Sequence, residues 1–265
     1  MYSSFQLAKK YLRYYFTAGN SKGHGMHSPF VFELITKVFN DKQHYHAYSR
    51  VEGLRKKLLQ DQTLLTVEDY GAGSVTGATK QRTVSSIAKN AAKPAKLGQL
   101  LFRMVQYYKP GIIVELGTSL GITTSYLSLA KPDARITTLE GAAAVAAAAR
   151  HNFKNAELSN CTIIEGNFDH TLPAVVRGLS TVDLAFIDGN HRQEPTERYF
   201  RELLTKTNND SILIFDDIHW SAQMEAAWKT IKNDPAVRCS IDLFFIGIVF
   251  FRSEFKEKQH FTIRF

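Results

Sequence analysis

The chain has 265 residues, with 33 Lys and Arg against 25 Asp and Glu, for a formal charge of +8. That length buries a sizeable core and suits one large domain, or one domain with an appendage. No run approaches the roughly 18 uninterrupted apolar residues of a membrane span, and residues 1–10 lack a leader-like apolar segment. Positive charge suits an anionic partner such as nucleic acid, an anionic surface or an acidic small molecule. The Lys and Arg are spread out, however, and no arginine-rich arm or zinc-finger spacing occurs. Cys161 and Cys239 form neither a disulfide framework nor a metal cluster. They read as buried apolar residues of a chain expected in a reducing cytoplasm.

Residues 1–60 read as helical and aromatic. Phe5, Leu7, Tyr11, Leu12, Tyr15 and Phe16 form a rough helical stripe, with Lys9, Lys10 and Arg13 between them. The pattern fits a helix docked on its own domain, or one lying on a membrane surface. A break rich in Gly, Asn, Ser and Lys covers 17–25. Ser28 and Pro29 then suit the N-cap and first turn of a second helix, running from about Phe30 to Phe39. A third stretch covers 48–59. The histidines His24, His27, His44 and His46 lack the further ligands a metal site needs, and a loop that lines the substrate pocket or tucks under the core is the expected role. Residues 63–67 could be a short strand. Residues 68–74 mimic a nucleotide-binding glycine turn, but no useful helix follows. Residues 75–84 therefore read as a long loop of the lid or gate kind, with Arg82 and Lys89 as candidate anion contacts. Residues 1–94 are taken as a helical extension with a lid or substrate loop, and 95–265 as the main domain.

From Lys96 the chain becomes regular. A helix ends near Lys109-Pro110-Gly111. Residues 112–114 are a short β-branched run, as a buried parallel strand should be. They pass into Glu115-Leu116-Gly117-Thr118-Ser119-Leu120-Gly121, and a helical pattern follows. Strand, glycine turn and helix put this turn at the carboxyl end of a strand, where α/β sheets bind ligands. The glycines allow close backbone approach, and a helix N-terminus offers N–H groups. The spacing is not the Gly-x-Gly-x-x-Gly of dinucleotide binders. Further strands are expected at 135–139, 161–164, 182–187 and 211–215, with helices between. Their ends carry Glu140, Glu165-Gly166-Asn167, Asp188 and Asp216-Asp217. Five such strand–helix units lead into an expected hairpin at 240–251, bent at Gly247, with an optional last strand at 260–265. The fold class is α/β: a doubly wound, Rossmann-like, seven-stranded and mostly parallel sheet with a C-terminal antiparallel hairpin.

On these motifs, residues 95–252 resemble the class I S-adenosylmethionine-dependent O-methyltransferases, close to the catechol and caffeoyl-CoA group and allied sugar O-methyltransferases. The resemblance rests on the ordered set Glu115–Gly121, Glu140, Gly166-Asn167-Phe168, Asp183–His191 and Ile214–Ile218. It implies that Glu115, Gly117, Thr118, Ser119, Gly121, Glu140, Gly166, Asn167, Phe168 and Asp188 bind S-adenosyl-L-methionine, with Glu140 on the ribose hydroxyls. It implies a Mg²⁺ or similar divalent cation on Asp188, Asp216 and Asp217, lowering the pKa of a substrate hydroxyl. Asp188 and His191 are the candidate catalytic pair. His191 stands where catechol-type enzymes carry a lysine, which leaves the base open. His219 and Trp220 are expected to line the substrate site. The implied acceptor is a small molecule with a hydroxyl group. Methylation of RNA, such as a modified tRNA base, is the alternative, and a non-catalytic cofactor-binding module is the third reading. A homodimer is allowed by the sequence but nothing in it demands one.

Overall fold

The computed structural model describes residues 1–25, 27–68, 79–91 and 93–265. In chain order the first elements are α1 (Ser4–Thr17), α2 (Pro29–Leu34), α3 (His46–Leu58), β1 (Leu64–Glu68), β2 (Thr79–Thr83), α4 (Val84–Ala91) and α5 (Ala95–Tyr108). The alternating part follows: β3 (Ile112–Leu116), α6 (Ile122–Ala130), β4 (Arg135–Glu140), α7 (Ala143–Asn155), β5 (Cys161–Glu165), α8 (Phe168–Arg177), β6 (Leu184–Ile187), α9 (Gln193–Leu204), β7 (Ile212–Asp216) and α10 (Ala222–Asn233). The chain ends in β8 (Cys239–Asp242), β9 (Ile246–Phe250) and β10 (Gln259–Thr262). This is the expected α/β class, with eight strands rather than seven in the mostly parallel main sheet. The eighth is the optional last strand, β10.

Contacts divide the chain into two compact units, residues 41–174 and residues 1–40 with 175–265. In the first, β3, β4 and β5 pair in parallel, with Glu115 opposite Thr138 and Glu140 opposite Glu165. Tyr126 of α6 lies over α5 where Gly98 leaves room. A Cβ at Gly98 would meet the Tyr126 ring at 2.5 Å. The expected long loop at 75–84 is corrected in part. Residues 79–83 are β2, antiparallel to β1, because alternating Thr, Gln and Thr suit an edge hairpin. The run after it forms α4, which ends before Pro94. The glycine-turn mimic at 69–74 lies outside the described residues.

In the second unit β6 and β7 are parallel, and β9 returns antiparallel between β7 and β8. The expected hairpin is present, but its bend is corrected: the chain turns at 243–245, with Phe244 left-handed (φ 71°), and Gly247 lies within β9 opposite Asp242. Gly247 sits under Trp228, where a Cβ would come within 2.7 Å of the indole. Phe186, Phe200, Phe215 and Phe250 are fully buried here, each contributing about 1.5–3 kcal/mol by leaving water. The second helix expected at 30–39 breaks at Leu34 into a π-turn over Ile35–Phe39, closed by the Asn40 N–H on the Ile35 carbonyl at 2.9 Å. Helix α1 docks by one face only: Tyr11 and Tyr14 pack on Phe244 at 5.1 and 5.3 Å. The Tyr14 hydroxyl donates to the Ile263 carbonyl. Burial pushes the Cys161 thiol up to about 11 and Cys239 up to about 12, which keeps both thiols protonated and inert.

Candidate active site

Residues 41–174 carry the glycine turn. Gly117 (φ 104°), Ser119 (φ 48°) and Gly121 (φ 82°) all adopt left-handed backbone between β3 and α6. Gly121 is the strictest position, because a Cβ there would meet Phe153 at 2.4 Å. Most of the turn's N–H groups are already used by the chain. Gly117 and Thr118 donate to the Leu139 carbonyl at 2.9 and 3.0 Å, and Gly121 donates to Thr118 at 2.8 Å. Ser119 N–H donates to Glu140 Oε2 at 2.8 Å, and Ala142 N–H to Oε1 at 3.0 Å. Two backbone donors thus orient Glu140, a group that accepts about four hydrogen bonds in all.

Glu115 is fully buried. Its Oε2 accepts from the hydroxyls of Thr124 at 2.5 Å and Thr138 at 2.6 Å. Thr138 spends its proton on Glu115, so the Thr118 hydroxyl, 2.6 Å away, donates to Thr138. The relay Thr118–Thr138–Glu115 fixes the turn from below. Sequence reasoning missed Thr124 and Thr138. Their signal was a threonine on a core strand facing a buried carboxylate, which needs donors. Gly166 (φ 125°) follows β5 and donates to the Glu140 carbonyl at 2.9 Å. Asn167 caps the next helix, its Oδ1 accepting from Asp169 N–H at 2.9 Å. Phe168, half-buried, opens α8. The segment expected beside the adenine therefore lies at the end of the strand next to Glu140's.

The other expected residues lie in the unit of residues 175–265. Asp188 follows β6, and Asp216 ends β7, fully buried. Ligand atoms of Asp188, His191 and Asp216 lie within 4.8 Å of one another. His191 Nε2 is 3.5 Å from Asp188 Oδ1. A strained turn brings the ring back: Asn190 (φ 68°) and His191 (φ 42°) are both left-handed, which is uncommon for consecutive non-glycine residues. The turn is braced by Asn190 Nδ2 on the Tyr199 hydroxyl at 3.1 Å and by Arg192 Nε on Asn190 Oδ1 at 2.6 Å. Asp217 is left-handed too (φ 53°), and its N–H donates to the Phe245 carbonyl at 2.7 Å. It is not part of the converging group. The structure brings His191 together with Asp188 and Asp216, where the sequence pattern put Asp217.

His219, expected to line the substrate site, is held between two carboxylates. Its Nδ1 lies 3.0 Å from Glu225 and its Nε2 2.8 Å from Asp242, while Phe244 stacks on the ring at 5.2 Å. Both ring nitrogens face carboxylates, an arrangement that favours the charged ring, in which both nitrogens donate. Burial opposes that charge, but Asp242 and Glu225 outweigh it and raise the His219 pKa. Glu225 also accepts from Tyr2 at 2.7 Å and Lys10 at 2.9 Å. These contacts anchor α1 and the residues before it to the first turn of α10. Glu225 and Asp242 went unnoticed in the sequence because each lies in an ordinary amphipathic pattern.

The family model described as a methyltransferase domain matches residues 114–218, from the middle of β3 to just past the two aspartates. Residues 114–218 are therefore similar to a methyltransferase domain. Comparison with curated proteins by sequence gives no match. Among solved structures, a Podospora anserina methyltransferase bound to S-adenosylhomocysteine is 15% identical, with a TM-score of 0.59 over 85% of this chain and 97% of that one. A Bacillus cereus O-methyltransferase in complex with S-adenosylhomocysteine is 18% identical, with a TM-score of 0.56 over 83% and 97%. The O-methyltransferase TomG from Streptomyces achromogenes, in complex with S-adenosylmethionine, is 16% identical, with a TM-score of 0.57 over 79% and 91%. At such identities the likeness is one of fold. That fold is the one of class I S-adenosylmethionine-dependent O-methyltransferases. The matched stretch includes both the Glu115–Gly121 turn and the residues Asp188, His191 and Asp216.

Proposed function

We propose that the chain transfers the methyl group of S-adenosylmethionine to a hydroxyl oxygen of a small molecule, with a divalent cation held by Asp188, His191 and Asp216. The convergence of those three side chains within 4.8 Å carries the reading. Two carboxylates so close repel each other, and a cation offsets that cost. Two oxygens and one imidazole nitrogen suit Mn²⁺, Fe²⁺ or Zn²⁺ better than the all-oxygen preference of Mg²⁺. The residues also fit the methyl donor. Glycines and left-handed backbone leave room at 117–121, and Glu140 is oriented for a vicinal diol. When bound, S-adenosylmethionine supplies an activated methyl on sulfur, and the cation favours the ionised acceptor oxygen.

In this reading Glu115 and Thr138 keep the turn rigid, and Glu140, Gly166, Asn167 and Phe168 orient the donor. His191 serves as a ligand, and a coordinating nitrogen cannot take up a proton. The 3.5 Å approach of Asp188 to His191 favours a second reading, in which the carboxylate orients His191 as general base. Calorimetry with S-adenosylhomocysteine tests the donor, and Mn²⁺ titration followed by electron paramagnetic resonance tests the metal. The ligand reading requires His191→Ala to lose about tenfold or more in Mn²⁺ affinity. Unchanged affinity with a lost limb of the pH–rate profile supports the base. No binding of S-adenosylhomocysteine would sink both.

The small-molecule acceptor rests on the O-methyltransferase neighbours, of which the Streptomyces protein is involved in tomaymycin synthesis. We further propose that residues 1–94 shape the acceptor site, and that the chain works in a reducing cytoplasm, in keeping with its inert thiols. No helix among the described residues is long and apolar enough to cross a membrane.

A further inference from the structure

Helix α1 has a second apolar face that stays exposed among the described residues. Its inner face packs Tyr11 and Tyr14 on Phe244. On the opposite side Phe5 is 79% exposed, Leu12 56% and Phe16 80%, and Tyr15 beside them is 46% exposed. Positions 5, 12 and 16 lie within about 40° of each other around the helix, so they form one ridge. Lys9 and Arg13, both exposed, stand on its flank, and the Arg264 guanidinium lies over the Tyr15 ring at 5.3 Å. Residues 1–32 contain Lys9, Lys10, Arg13 and Lys22 and no acid. Water leaves such a ridge unrewarded, and a large exposed apolar face marks an interaction site.

We propose that this face of α1 seats on an anionic lipid bilayer surface, making the protein a peripheral membrane binder. Phenylalanine and leucine on one flank with Lys and Arg beside them is the chemistry of a helix lying in the headgroup region. The long stems of Lys9 and Arg13 reach headgroup phosphates while the rings sink past them. Charge selects this occupant over a second copy of the chain. A two-fold contact of α1 on α1 would set Lys9 and Arg13 against their own copies, with no acid on the helix to pair them. An anionic surface supplies the missing charge. The docked inner face holds the helix at the protein's surface beforehand, so seating costs little ordering entropy.

Flotation of the full chain with vesicles tests the proposal. Binding is expected to phosphatidylcholine vesicles containing phosphatidylglycerol and not to phosphatidylcholine alone, and to weaken as salt rises. Phe5→Ser with Phe16→Ser, and separately Lys9→Glu with Arg13→Glu, should each lower vesicle binding by about tenfold or more. All four side chains are exposed, so the circular dichroism and melting temperature of both variants should match the wild type. Equal binding to neutral vesicles, unchanged binding by either variant, or no vesicle binding at all overturns the proposal. A dimer that Phe5→Ser with Phe16→Ser breaks, without vesicle binding, assigns the face to a second copy instead.

Discussion

The two units carry candidate residues that are finished to different degrees. In residues 41–174 the chain's own donors meet the carboxylates: Thr124 and Thr138 on Glu115, and Ser119 and Ala142 on Glu140. In residues 175–265 two carboxylates and an imidazole are turned towards each other, and two consecutive left-handed residues hold the imidazole there. The first arrangement is satisfied by the chain's own hydrogen bonds. The second stores like-charge repulsion and backbone strain, which a cation would relieve. Stability and function should therefore move together in the first half and apart in the second.

The sharpest break of that comparison is Asp216→Asn. We expect methyl transfer to fall by on the order of 10²–10⁴-fold, while the melting temperature in chelator stays level or rises because one of two close charges is gone. A clear drop in melting temperature would place Asp216 with the structural carboxylates. Gly121→Ala should do the reverse, striking fold and cofactor together. Its Cβ would enter the Phe153 ring at 2.4 Å, on backbone at φ 82°. Overpacking and left-handed strain should cost about 3 kcal/mol, read by denaturant melts, with S-adenosylhomocysteine affinity lost in parallel. Thr138→Val is the gentler version. It removes one donor from buried Glu115 and the acceptor of Thr118, for about 1–3 kcal/mol. Stability unchanged by Thr138→Val would mean the relay does not hold the turn.

The same division explains what the sequence could convey. Strand–helix alternation from residue 112 to 233 was legible because apolar runs, glycine turns and acidic strand ends repeat in order. The extra strand and the β1–β2 hairpin were less so, since edge strands are polar and short. The strand pattern placed Glu140, Asp188 and Asp216 at strand ends, where the structure has them. It could not show that His191 turns back towards Asp188, because that depends on φ at Asn190 and His191, residues with no compulsory left-handed preference. Nor could it show His219 between Glu225 and Asp242, a contact made only when α10 and β8 are folded. The double use of α1 was half visible: the stripe was plain, but which side docks depends on Phe244.

That His219 cluster gives the smallest effect, and its pH dependence separates it from the candidate residues of either unit. Burial disfavours the His219 charge, yet Asp242 and Glu225 raise its pKa above the ordinary 6.5. A raised histidine stabilises fully below its unfolded value, and the contribution fades as pH rises through the folded one. Burial likewise works against the Glu225 charge, but Lys10, Tyr2 and His219 hold its pKa below the ordinary 4.5. Its contribution is present above that value and fades as pH falls through the lowered one. The cluster should thus be strongest between pH 4.5 and 6.5. His219→Gln keeps a donor but no charge, and should cost about 1–2 kcal/mol in that window, shrinking towards alkaline pH. Melting curves of both proteins across pH supply the difference. A difference that is flat with pH would mean that His219 acts by packing on Phe244 rather than as a cation between two acids.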